Sequence, residues 1–185
     1  MKSITKFHNE IIKIVGRDFV LTNPNDILPY LHEERGLKKS NADIVVRPES
    51  SEELAKLVKL CSNKKIPIVP VGGLTGLVGA TVASGGIIVT TDRMNKILNI
   101  DQLNKTMTVE AGCILADIQK EAIKHDCLFP LSLGAEGSCR IGGNLATNAG
   151  GVGVLRYGNT RDLVLGLEVI MPNGDIWDGL KALRK

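Results

Sequence analysis

Aromatic residues are scarce: one Trp, two Tyr and three Phe make up 3% of the 185 residues. So few flat rings leave little on which single-stranded bases can stack. A dense run of one charge is also missing, since 23 Lys and Arg are set against 20 Asp and Glu for a formal charge of +3. Without a basic stripe, no nucleic-acid partner is expected. No stretch approaches the roughly 18 apolar residues of a membrane span. Charges at Lys2, Lys6, Glu10 and Lys13 interrupt the N-terminal apolar residues before a signal-peptide core can form. A soluble, cytoplasmic protein with no membrane span is the expectation. The four cysteines, Cys61, Cys113, Cys127 and Cys139, contain no CxxC pair. That spacing argues against a zinc site or a disulfide framework and for reduced, mostly buried thiols. His8, His32 and His125 lie far apart, so no metal site is expected.

Glycine, by contrast, is abundant. Most of the twenty lie between Gly72 and Gly174 in short runs without a collagen-like period, well above the usual share of roughly 7%. With 43% apolar and 23% charged residues, the chain can bury one core, with room for two lobes. It is too short for cofactor and substrate to sit on separate full-size domains.

Ile4, Phe7, Ile11, Ile12 and Val15 share a helical face, which predicts a lead-in helix over 4–15. A Pro- and charge-containing connector follows over about 23–40. Asp43 to Val46 reads as a buried strand, and Ser50 with Glu53 as a capping box for a helix that aligns Leu54, Leu57, Val58 and Cys61. Ile66 to Val69 is the next strand, so the three elements form a βαβ unit with parallel strands. Ile87–Thr90, Ile97–Ile100 and Met107–Glu110 are strand-like, and Ile114 to about His125 is helical. Gly134–Gly158 has no periodicity. Leu163–Met171 reads as a strand that turns at Pro172–Asp175 into Ile176–Asp178. The sum is an α+β arrangement with two long glycine-rich loops, which a compact domain keeps for a reason.

The first loop, Pro70 to Gly79, follows directly on a strand. Its glycines permit positive φ and let successive amides converge on an anion, with the Thr75 hydroxyl as a further donor. Composition alone leaves a phosphate cradle and a tight turn both open. No Gly-Lys-Ser/Thr and no helix-opening GxGxxG is present, which excludes the Walker A loop and the dinucleotide fingerprint. The second loop, Leu131 to Gly151, alternates glycine with small, hydroxyl and carboxamide residues. Such a surface admits a large, flat, heteroatom-rich ligand. Its many amides without ladder partners need a polar guest.

These loops, with Thr91–Asn95, Leu155–Gly158 and Gly166–Val169, resemble the FAD-binding domain of the vanillyl-alcohol-oxidase and p-cresol-methylhydroxylase (PCMH/VAO) class of flavoproteins. Within that class, GAEGSCRIGGNLATNAGG, LRYG and GLEVIMPNGDIWDGL are similar to D-2-hydroxyglutarate dehydrogenase and its relatives, the D-lactate dehydrogenase and glycolate oxidase flavin subunits. The resemblance runs from about Tyr30 to the end. It implies an α+β, PCMH/VAO-type domain of two small α/β subdomains with the cofactor between them. The implied layout is a helical lead-in and connector over 1–40 and an FAD-binding domain over 41–179. Its subdomains span about 41–110 and 111–179, and 180–185 begin a further segment.

The resemblance also implies a cofactor site. Val71, Gly72, Gly73, Leu74, Thr75, Gly76 and Leu77 would cradle the FAD pyrophosphate through backbone amides and the Thr75 hydroxyl. Pro130, Leu131, Gly134 and Ser138 would line the ribityl and adenine-side wall. Gly142, Gly143, Asn144, Thr147, Asn148 and Gly151 would run beneath the ribityl chain toward the isoalloxazine. Gly158 would allow close approach, and Val169 would offer backbone contacts to the adenine. Some members tether the flavin through a histidine in the first loop; none stands there, so FAD is expected to be non-covalent. Val71 and Ser132 depart from residues common in the family, Arg or Gln and Asp respectively.

In the family, a D-2-hydroxy acid loses a hydride equivalent to the flavin and becomes a 2-oxo acid. A separate domain there carries the carboxylate-binding cations and a metal, and the expectation is that this sequence lacks it. No catalytic residue is therefore assigned. The expectation is the FAD-binding part of such an oxidoreductase, a fragment or split subunit inactive alone, with a partner polypeptide supplying the rest and the 2-hydroxy acid site. The alternatives are a non-catalytic FAD- or nucleotide-binding remnant and a subunit active only with its partner. Among single residues, Arg93 and Arg156 suit either a ligand anion or a structural ion pair. Cys139 reads as a small buried thiol, and Tyr157 either edges the ligand or packs beneath its loop.

Overall fold

The computed structural model describes residues 2–180. It divides into two units, Met1–Arg93 with Gly166–Lys185, and Met94–Leu165. These divisions differ from the expected subdomains: the first ends before the 97–109 hairpin and takes in the C-terminal hairpin. Proximity in space rather than order along the chain decides membership.

The first unit is built on a four-stranded sheet. Its strands are β1 (Val20–Leu21), β2 (Ile44–Val46), β3 (Ile68–Val71) and β4 (Ile87–Thr90), in the order β1-β2-β4-β3. β1 pairs antiparallel with β2, while β2 and β3 both run parallel to β4. The expected βαβ strands are thus parallel but not adjacent, because β4 inserts between them. The local pattern reports strand type and leaves neighbour order open. Two apolar layers follow from the pleat. Ile44, Val46, Ile87 and Val89 share one core cluster with Ile11, Val15, Leu57 and Cys61, whereas Val45 and Ile88 join Ile27, Ala42, Val71 and Ala83 in another. Burial on both faces explains the near-continuous apolar runs of β2 and β4.

Two helices supply the first layer. α1 (Lys2–Val15) brings Ile11 and Val15, and α3 (Ser51–Lys64) brings Leu57 and Cys61. The Ser50 hydroxyl accepts from the Glu53 amide at 3.2 Å, as the capping box requires. The reciprocal arm slips by one residue, since the Glu53 carboxylate accepts from the Glu49 amide at 2.9 Å. Lys64 pairs with Glu10 across the two helices at 3.0 Å. The connector also carries structure. α2 (Pro24–Ile27) is capped by the Asn23 side chain, and a 3-10 turn follows over Leu28–Leu31. Both are too short for periodicity to reveal, as is β1.

Further along, β7 (Glu168–Ile170) and β8 (Ile176–Asp178) form the expected hairpin. A Cβ on Gly174 would lie 2.6 Å from the Lys59 Cβ, so the hairpin turn sits tightly on α3. The strand expected over Leu163–Met171 is shorter than its apolar run. Asn159 and Asp162 form a capping box that winds Thr160–Leu163 into a 3-10 turn instead.

The second unit holds the antiparallel hairpin β5 (Ile97–Asp101) and β6 (Thr106–Val109). The helix α4 (Leu115–Lys124) follows, with α5 (Ile141–Ala146) and α6 (Val154–Tyr157) beyond it. Its core is Leu115, Leu131 and Cys139, flanked by Phe129, Leu133 and Leu163. Cys61, Cys113 and Cys139 are buried, Cys127 is half-buried, and all four are free. Burial pushes the Cys61 and Cys113 thiols up to about 11.

Leu57 is fully buried between α3 and the sheet. Leu57→Ala is expected to destabilise the chain by about 2–5 kcal/mol, read as a fall in urea midpoint, while exposed Lys56→Ala stays within about 0.5 kcal/mol. Glu33 gives a pH signature. Burial alone would raise its pKa, but the Leu37, Lys38 and Arg35 amides and the Arg35 charge outweigh it and hold the carboxyl below its ordinary value. That contribution is complete above the unfolded glutamate pKa of about 4.3 and is lost as pH falls through the lower folded value. Glu33→Gln therefore flattens the acid limb of stability below about pH 4.3, measured by denaturant titration at stepped pH.

Candidate functional site

The first loop leaves the carboxyl end of β3 at Val71, whose carbonyl accepts from the Thr91 amide at 3.3 Å. Its far end is equally fixed: the Ala83 amide donates to the Ser40 hydroxyl at 2.9 Å, and the Asn41 amide to the Ala83 carbonyl at 2.8 Å. Between these anchors, no backbone amide from Gly72 to Gly79 donates to an acceptor among the described residues. Leu74 adopts a left-handed φ of 58° within this stretch. The Thr75 hydroxyl likewise has no partner among the described residues. A Cβ on Gly76 would meet nothing within 4 Å, so its backbone is open. Consecutive unengaged donors at the carboxyl end of a parallel strand are the makings of an anion site. A cavity of about 540 Å³ lies beside it, lined by Leu28, Pro29, Leu31, His32, Gly73 and Leu74.

Around this loop the charged residues are committed to structure. The Asp92 carboxylate accepts from the Arg47 Nε at 2.9 Å and from the Tyr30 hydroxyl at 3.1 Å. Arg93 donates to the Arg47 carbonyl at 2.8 Å, pairs with Glu49 and lies 3.2 Å from the Phe19 ring centroid. Of its two sequence readings, the structural ion pair is the one found. Val169 lies in β7 opposite Trp177.

The second loop corrects an expectation. Many of its amides are engaged by its own unit: Ile141 donates to Cys113, Gly142 to Ala111, Asn144 to Arg140 and Ala149 to Asn144, at 2.8–3.0 Å. The stretch is folded partly into α5, which two glycines and the lack of an apolar stripe conceal in the sequence. Its side chains are used internally as well. Asn144 is buried and its Nδ2 donates to Cys139 Sγ at 3.3 Å. The Thr147 hydroxyl donates to the Gly143 carbonyl at 3.0 Å, and Asn148 Oδ1 accepts from the Arg161 amide at 3.0 Å.

Its glycines serve two ends. On Gly151 a Cβ would lie 2.1 Å from the Ser132 carbonyl oxygen, on Gly142 2.8 Å from the Ala111 Cβ, and on Gly158, at φ 78°, 2.5 Å from the Asp162 carboxylate. These three permit close approach within the protein itself. Gly134 and Gly143 have nothing within 4 Å of that position and present bare backbone outward. Pro130 and Ser138 flank the buried Leu131 and Cys139 at the base of the loop. Leu155 and Val152 are fully or nearly exposed, Tyr157 is 39% exposed, and Arg156 lies 5.4 Å from its ring centroid.

Arg161 is the residue that sequence reasoning passed over. Its guanidinium donates to the Leu145 and Ala146 carbonyls at 3.1 and 3.0 Å and so closes the C-terminus of α5. These partners lie sixteen and fifteen positions before it, beyond any local signal. Among the described residues, no group of three His, Cys, Asp or Glu is placed to hold a metal ion. No helix among them is long and apolar enough to cross a membrane.

The backbone superposes on alkyldihydroxyacetonephosphate synthase with TM-score 0.86 at 22% identity, over 96% of this chain and 34% of that one. It superposes on p-cresol methylhydroxylase with TM-score 0.80 at 22% identity, over 96% of this chain and 35% of that one. The fold is therefore the PCMH/VAO type, α+β, with each glycine-rich loop on its own unit. The family model of the FAD binding domain matches residues 42–179, and the chain belongs to that family: it is an FAD-binding domain. Its sequence is 40% identical over 148 residues to a mitochondrial D-2-hydroxyglutarate dehydrogenase of Danio rerio, covering 80% of this chain. The chain spans 28% of that relative's length.

The two kinds of glycine are separable by experiment. Gly151→Ala forces its Cβ against a backbone carbonyl and is expected to lower the melting temperature by several degrees or abolish folding, an effect of about 2 kcal/mol or more. Gly143→Ala leaves the melting temperature within about two degrees, since only open space is filled.

Proposed function

We propose that the chain carries non-covalent FAD for an oxidoreductase that converts a D-2-hydroxy acid to the 2-oxo acid. The observation that carries this reading is the run of amides from Gly72 to Gly79 with no acceptor among the described residues, fixed at one end by the sheet and at the other by Ser40 and Asn41. In this proposal the Gly72–Leu77 amides and the Thr75 hydroxyl bind the pyrophosphate, whose charge matches a cluster of donors without a counter-ion. Gly134 and Gly143, open above their backbone, line the ribityl and isoalloxazine, while Asn144, Thr147 and Asn148 hold that wall in shape through their internal bonds. Val169 contributes its backbone on the adenine side. When bound, FAD supplies the acceptor for the hydride equivalent.

The substrate class rests on the 40% identity to a D-2-hydroxyglutarate dehydrogenase. Substrate carboxylate recognition requires cations, and Arg93 is committed elsewhere. We therefore assign turnover to this chain together with polypeptide equivalent to the remainder of the relative. A cytoplasmic location belongs to the same proposal. The relative's name is that of a mitochondrial protein, and cell fractionation discriminates between the two.

Purified without added cofactor, the chain is expected to show flavin absorption that trichloroacetic acid releases into the supernatant. D-2-Hydroxyglutarate or D-lactate bleaches it only after the complementary polypeptide is added. A colourless protein that takes up no FAD, or flavin retained in the acid pellet, contradicts the cofactor assignment. Thr75→Val is expected to weaken FAD binding about fivefold to tenfold, the worth of one hydrogen bond of about 1 kcal/mol, measured by flavin fluorescence titration.

A further inference from the structure

Pro130, Leu131, Gly134 and Ser138 lie on a stretch with few backbone bonds, and a carboxylate supplies what the backbone lacks. Glu136 Oε2 accepts from the Ser132 hydroxyl at 3.2 Å and from the Gln119 Nε2 at 3.4 Å. The same Gln119 amide donates to the Leu131 carbonyl at 2.7 Å. The Glu136 backbone is engaged too, its carbonyl accepting from the Ala116 amide at 2.9 Å and its amide donating to the Leu133 carbonyl at 3.1 Å. Both Glu136 and Ser132 are half-buried, and among the described residues Glu136 makes no ion pair. Its Oε2 is shared by two neutral donors from different segments.

We infer that Glu136 is a positioning residue for the cofactor: it ties the Leu131–Glu136 turn to α4 through Gln119 and so fixes where Gly134 presents its backbone. The inference rests on the flavin reading above. Gly134 has nothing within 4 Å of a Cβ position, so nothing packs over that residue to hold it, and its place depends on the bonds on either side. A side chain seventeen residues from Gln119 and four from Ser132 closes a ring around the turn. Loss of the ring leaves the Leu115, Leu131 and Cys139 core in place while the turn moves.

The test uses the full chain. Glu136→Ala and Gln119→Leu are each expected to weaken FAD binding about fivefold or more and to alter the flavin absorption and visible circular dichroism of the bound form. The cofactor-free melting temperature should change little. Glu136→Gln keeps an acceptor oxygen for both donors and is expected to restore affinity and spectrum to within about twofold. Ser132→Ala removes one donor only and falls between, which keeps the comparison usable if Glu136→Ala does not fold. Wild-type affinity and spectrum in Gln119→Leu and Ser132→Ala overturn the inference, as does a Glu136→Gln chain as weak as Gln119→Leu. A wild-type chain that takes up no flavin overturns the cofactor reading and this inference together. Flavin uptake that these substitutions leave unchanged overturns the inference alone.

Discussion

Much of the first unit depends on the pairing of one short strand on both sides. β4 is hydrogen-bonded to β2 and β3 in parallel, and its Ile87, Ile88 and Val89 are almost wholly buried. Two adjacent parallel strands joined in sequence require the chain to travel the length of the sheet and return. Here it does so over 72–86 without a helix. The return is anchored at its end, where Gly86, at φ 77°, brings its backbone so near the Pro67 carbonyl that a Cβ would stand 2.3 Å from that oxygen. A helical crossover would use up its own amides. A bare loop, held at both ends, leaves those from Gly72 to Gly79 without an acceptor among the described residues, and the candidate anion site is a by-product of that route.

The second unit reaches a comparable end by a different means. Its glycine-rich stretch is folded upon itself, and many of the donors that seem spare in the sequence have found carbonyls within its unit. What it offers is shape: places where the backbone can be approached because nothing stands above it, set among glycines packed too tightly to carry a side chain. Asn144, Thr147 and Asn148, the polar residues expected beneath the ribityl chain, spend their side chains on internal bonds.

Legibility in the sequence followed locality. Helix α3 was readable because Ser50 begins it and Leu57 and Cys61 recur on one face, all within fifteen residues. The hairpin at Pro172–Asp175 was readable from its turn residues. The insertion of β4 between β2 and β3 was not, since it depends on β4 pairing with β2 across more than forty residues, as Ile44 does with Ile87. α5 was hidden because IGGNLA is too short for periodicity and opens with two glycines after Ile141, and it persists through bonds to the 111–113 segment and from Arg161. The first loop could be placed from its glycines, but which of its amides lack a partner among the described residues is visible only in the structure. Resemblance to a known family carried what spacing could not, namely the identity of the guest.

The lead-in segment bears on how the protein can be divided. The family match begins at residue 42, yet Ile11, Val15 and Val20 lie in the same buried cluster as β2 and β4, and Ile27 closes the opposite layer. β1 also occupies one margin of the sheet. A piece excised at the family boundary would uncover an apolar layer and open β2 as a free strand edge, the combination that promotes self-association. The first forty residues thus contribute to both apolar layers, and the packed body of this unit extends beyond the segment by which the family is defined.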